Sequence, residues 1–250
     1  MTDEWQVVPR HLIMSEESLG EVKSFVETQI AVQKIAAEWE SEVIERMAET
    51  TKEKNVKKAW QWVKYLDKVL RKEAYEAGLS ALRAGFSLPD ISNGSPSDFE
   101  DNVLGFYRLA AQQIKLNTSK DILISGGMDY LTSHSGGHNI SRVTHHELAH
   151  HIAMKAQTII SPTITNGRRN SGATGDEYKT VKSQVSEYAT TRWTEFDAEV
   201  IGAMLDGKKF HKEVCNLLWK PTEDEIDKLT NKESAEWERS YLKLIERGRA

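Results

Sequence analysis

Cysteine occurs once in the 250 residues, at Cys215, which excludes an intramolecular disulfide and any zinc site needing two or more thiolates. Proline occurs only five times, and no apolar run approaches the roughly 18–20 residues that span a bilayer. The opening MTDEWQVVPR is acidic and lacks the basic-then-apolar order of a signal peptide, so the expected location is cytoplasmic, with virion association also compatible. A surplus of charge is missing too. Lys+Arg number 33 against 38 Asp+Glu, and the formal net charge of -5 sets nucleic acid and anionic membrane aside as partners. What the chain does concentrate is histidine: six of its eight (His134, His138, His145, His146, His150 and His151) fall within residues 134–151.

Periodicity organises the chain around that cluster. Residues 18–50 read as one amphipathic helix, opened by the capping-box pair Ser18 and Glu21, with Val22, Val26, Ile30, Val32, Ile35, Trp39, Val43 and Met47 at helical spacing. A second helix is expected over 56–84, where Ala59, Val63, Leu66, Leu70 and Ala77 form a stripe interrupted by Glu73. Together they predict an N-terminal helical hairpin, either a docking arm for a protein partner or a stripe packed on the rest of the chain. The segment 86–98 holds two of the five prolines and marks a boundary, giving a helical region over 1–90 and a second domain over 91–250.

Beyond the boundary, Ser97 and Glu100 are expected to cap a helix reaching about Leu116, with Val103, Phe106, Leu109, Ala110 and Ile114 on its apolar face. Asp121 to Ser125 reads as a strand, an edge against which an extended peptide could lie. Residues 161–176 read as a long loop whose Arg168 and Arg169 either bind a substrate carboxylate or, the favoured reading, are solvated. Helices follow at about 194–206, 208–218 and 223–247, the last capped by Thr222 and Glu225. The fold class is therefore α+β, predominantly helical with a small sheet.

The chemistry lies in HHELAHH, residues 145–151, where His146, Glu147 and His150 form a His-Glu-x-x-His pattern. Four residues apart on a helix, both imidazoles reach one ion, and the Glu beside the first can address a water there. Thr144 or Ser141 can cap this helix. His145 and His151 lie roughly 100° around it from the ligands and are expected to be exposed or capping. His134 and His138, four apart but separated by Ser-Gly-Gly, cannot share a helix face; they line a cleft or are ordinary loop histidines. A catalytic zinc site needs a third protein ligand. Glu195 and Glu199, one turn apart on a helix expected to be capped by Thr194, are either a ligand and its supporter or two solvated carboxylates near a helix N-terminus. Trp193 reads as a core residue that could also wall the cleft.

Taken jointly, His146-Glu-x-x-His150, a spacer of about forty residues, and Tyr188-Ala-x-x-x-x-x-Glu195-Phe-x-Ala-Glu199 resemble the zincin metallopeptidases related to the anthrax lethal factor catalytic domain and the Pro-Pro endopeptidases. Zincin-like domains of phage head-morphogenesis proteins are similar as well. The resemblance covers roughly residues 120–206. It implies Zn2+ as cofactor, Glu195 as third metal ligand, Tyr188 as the tyrosine that stabilises the oxyanion, and Glu199 as a supporting residue. It departs from the pattern at Asp197, where an aromatic residue is common, and at Leu148-Ala149, where Phe-Gly is frequent. The implied function is a zinc-dependent metalloprotease that hydrolyses a peptide or protein substrate, with Glu147 activating the water. A phage head-associated structural or interaction protein and a toxin or effector protease are the alternatives.

Overall fold

The computed structural model describes residues 16–49, 53–99, 103–117, 143–160 and 171–250. It is mostly helical with a small three-stranded mixed sheet. The expected strand at 121–125, His134, His138, Ser141, Arg168 and Arg169 lie outside the described residues.

The first helix, α1 (Glu16–Glu49), packs through Val43, which is buried, and through the Trp39 ring. That ring meets Tyr75 edge-on at 5.5 Å and Trp60 at 6.3 Å. The expected second helix is two: α2 (Lys54–Val63) and α3 (Lys68–Ala84). The break at Tyr65-Leu66-Asp67 has local causes. The Asp67 amide donates to the Asn93 side chain at 3.1 Å, and Arg71 Nε donates to the Leu66 carbonyl at 2.8 Å, so these backbone groups find partners outside a continuous helix.

The helix expected over 97–116 is instead a hairpin, and this is the largest departure. Strand β1 (Asp90–Gly94) runs parallel to β3 (Gln113–Asn117), and β2 (Gly105–Arg108) pairs antiparallel with β3 on its other side. The three-four spacing from Val103 to Ile114 spans a turn, closed by Gln112 at φ 46°. The decisive pattern is the alternation of buried Ile114 and Leu116 with Lys115 between them, period two rather than 3.6. Asp98, beside the expected Ser97 cap, accepts from the Ser95 amide at 2.8 Å and from Lys115 Nζ at 3.0 Å, closing a 3-10 turn onto the sheet.

The remaining helices are α4 (Val143–Ile160), α5 (Gly175–Gln184), α6 (Trp193–Leu205), α7 (Lys212–Leu217), α8 (Glu223–Asp227) and α9 (Lys232–Arg247). The Thr222–Glu225 capping box is present, but it caps only α8; Asn231 starts α9 by accepting from the Ser234 amide at 3.1 Å. The core forms where α4 and α6 cross, with Leu148, Ile152, Phe196, Val200 and Ile201 fully buried. β2 and β3 lie on another side of α4, and α3 and α9 also pack against it. Trp193 joins this core, its ring edge-on to Phe196 at 5.4 Å. Among the described residues no helix is long and apolar enough to cross a membrane.

Candidate metal centre

Helix α4 is gripped on several sides, which is why its polar residues are buried along with its apolar ones. Ala149, Ala153 and Ala156 keep its surface slim, and Gly202 of α6 lets the two helices approach until their backbones nearly touch. That close crossing brings one face of α4 onto the first two turns of α6. The start of α6 differs from expectation: Arg192 occupies the N-cap position without a side-chain cap, and Thr194 is a buried residue inside the first turn. Thr144 likewise sits within α4, fully buried.

The crossing gathers three candidate ligands, two imidazoles and a carboxylate, from two helices. His146 Nε2 lies 3.0 Å and His150 Nε2 3.2 Å from the same oxygen, Glu195 Oε2. The two imidazole planes are near perpendicular at 88°, with ring centroids 4.7 Å apart. All three ligand atoms fall within 4.8 Å of one another, the arrangement that could hold one metal ion. The set fits zinc: tetrahedral ligands at about 2.0–2.2 Å stand roughly 3.4 Å from each other, close to the separations found. His146 has a second carboxylate on its other ring nitrogen, Nδ1 standing 3.3 Å from Glu199 Oε1. Such a partner fixes the tautomer and orientation of a ligating ring.

Charge is concentrated here. Burial works against the His146 cation, but hydrogen bonds to Glu195 and then Glu199 outweigh it and raise the ring to about 10. Burial would raise Glu195, yet His146 and His150 hold it far below the ordinary carboxylate value. Glu147 is buried, and that burial raises its carboxyl, with His150 and His146 opposing. The backbone N–H of Tyr107, on β2, donates to that same carboxylate. Tyr188 stands in a 3-10 turn (Tyr188–Thr190), its ring centroid 5.9 Å from that of His146 and its hydroxyl donating to Glu195. Burial, then the negative charge of Glu195, raises its phenol, so it keeps its proton.

The structure therefore brings His146, Glu147, His150, Tyr188, Glu195 and Glu199 to one place. It also corrects the expectation for their neighbours. His145 and His151 are neither exposed nor capping; both are buried. His145 sits between Glu73 and Asp206, and the opposing effects of burial and of hydrogen bonds to those two carboxylates leave it raised to about 9. His151 lies beside Trp237 and is hydrogen-bonded to the Tyr107 hydroxyl at 2.9 Å. Burial, helped by the Lys155 charge, lowers it to about 4, so it is neutral.

Three residues around the site were not singled out as functional by the sequence. Glu73 left a signal, a carboxylate interrupting an apolar stripe. Tyr107 and Asp206 left none, because their roles depend on a sheet and a helix end that come together only in the fold. Comparison of the chain with protein-family models, curated proteins and solved structures finds no match.

Proposed function

We propose that the chain is a zinc-dependent, zincin-like peptidase. The observation that carries this reading is the convergence of His146 Nε2, His150 Nε2 and Glu195 Oε2 within 4.8 Å, with the Glu147 carboxylate on the same turn of α4.

When bound, Zn2+ supplies Lewis acidity that makes water nucleophilic near neutral pH and polarises a carbonyl. The residues of the chain do the rest. His146, His150 and Glu195 hold the ion, and Glu199 orients the His146 ring through Nδ1. The Glu147 carboxylate, steadied by the Tyr107 amide, accepts a proton from the attacking water and returns it to the departing amine. Tyr188, still carrying its phenolic proton, donates a hydrogen bond to the carbonyl oxygen as negative charge develops there. The half-exposed position of Tyr188 leaves the site approachable by a peptide.

Two features favour catalysis over a metal that only stabilises. The cluster has three ligand residues among those described, whereas a structural zinc site is closed by a fourth. A purely structural site also has no use for a buried carboxylate beside its first histidine. Metal analysis of protein purified without chelator, followed by chelator-sensitive cleavage of a peptide library, tests the reading. A Glu147→Gln variant that cleaves as fast as the wild type overturns it.

A further inference from the structure

The metal-binding face is not the only part of α4 held by polar contacts to other helices. His145, the residue before the first candidate ligand, lies between two carboxylates carried by different helices. Its Nδ1 is 3.0 Å from Glu73 Oε1 on α3, and its Nε2 forms an ion pair of 2.7 Å with Asp206 Oδ1. The same Glu73 oxygen also accepts the backbone N–H of His145 at 3.1 Å. Both ring nitrogens thus face a carboxylate, one from α3 and one from the end of α6.

Each contact constrains the ligand geometry in a distinct way. Asp206 is the residue that ends α6, so its pairing with His145 ties the start of one ligand-bearing helix to the end of the other. Glu73 satisfies a first-turn N–H that has no partner inside α4, capping that helix from a separate helix and fixing its axial position. Near this link α4 and α6 meet at Gly202, whose missing side chain lets the two backbones come close. A roll of α4 by one residue, roughly 100°, would carry both imidazoles away from Glu195.

We propose that Glu73, His145 and Asp206 form a positioning unit for the metal centre. The unit sets the rotation and axial placement of α4 against α6 so that His146 and His150 meet Glu195. Through Glu73 it makes α3 part of the framework that metal binding requires. This inference rests on the metal-site reading above.

The test uses the full chain with Glu73→Gln and Asp206→Asn, substitutions that keep shape while weakening each contact to His145. Zn2+ affinity is measured by competition with a chromophoric chelator, Co2+ coordination by its visible absorption bands, and the fold by circular dichroism of the metal-free protein. The expected result is a native metal-free spectrum, Zn2+ binding weakened about tenfold in each variant, and Co2+ bands altered in position or intensity. Should Asp206→Asn fail to fold, Glu73→Gln alone carries the test, and His145→Gln serves as its second variant. Wild-type Zn2+ affinity together with wild-type Co2+ bands in folded variants overturns the proposal, leaving the cluster a structural staple. A wild-type chain that binds no Zn2+ defeats the metal reading itself, and the proposal with it; that failure shows before any substitution is made.

Discussion

Gly202 of α6 lies directly against the carbonyl of His145 on α4: a β-carbon placed on it would stand 3.2 Å from that oxygen. The two helices that bear the candidate ligands thus cross at backbone contact. Gly202→Ala gains about 1 kcal/mol of helix propensity but forces the backbones apart, at a cost of about 1–3 kcal/mol. The expected outcome is a modest loss of thermal stability with a larger loss of Zn2+ affinity, since the same displacement separates His146 from Glu195. Calorimetry and chelator competition on one preparation measure both.

A second buried link between these helices lies away from the ligands. Gln157 Nε2 donates to Asp197 Oδ2 at 2.8 Å. Asp197 occupies the position where the resembling peptidases favour an aromatic residue, and its acceptor role towards α4 accounts for a carboxylate there. Gln157→Met keeps the volume and removes a charge-assisted bond, so denaturant unfolding should show a loss of about 1.5–3 kcal/mol. Zn2+ affinity should stay at the wild-type value.

Glu238 of α9 gives stability a pH dependence. It is fully buried, and among the described residues neither carboxylate oxygen has a hydrogen-bond partner. Burial, then the nearby Glu225 charge, raises it from 4.5 to about 8. The folded chain therefore holds a proton that the unfolded chain releases above pH 4.5, and stability falls as pH rises from there until about pH 8, where both states are ionised. Glu238→Gln removes that slope. Melting temperatures should match the wild type near pH 4.5 and exceed it at pH 8, a gain of a few kcal/mol at most.

The peptidase reading separates turnover from metal retention. Glu147→Gln should keep Zn2+ and lose cleavage, and Tyr188→Phe should keep Zn2+ with cleavage slowed on the order of 10²–10³-fold. Steady-state rates on a cleaved library peptide, with metal content measured alongside, check both.

The parts of the site legible in the sequence are those set by spacing within one element. His146 and His150 share a helix face because four residues make about one turn, with Glu147 beside the first, whereas Tyr188, Glu195 and Glu199 take their roles only through the resemblance to the zincin peptidases. The burial of His145 and His151 is not legible in the sequence, because a helical wheel gives an angle without saying what lies in that direction. Their surroundings, Glu73 and Asp206 for one and Tyr107 and Trp237 for the other, come from distant segments. The β2–β3 hairpin is hidden from the sequence for a related reason. Its apolar residues fit a helical period across the turn, and pairing with β1 from the far side of the Pro96–Asp98 turn decided the outcome. The helix breaks at Tyr65 to Asp67 and before Asn231 are short interruptions whose hydrogen-bond partners periodicity does not weigh.

The most direct test of the central claim is the zinc content of the full chain purified without chelator, wild type beside Glu195→Ala. The account predicts one Zn2+ per chain in the wild type and none retained in the variant. Substoichiometric metal in the wild type, or full occupancy in Glu195→Ala, would contradict it.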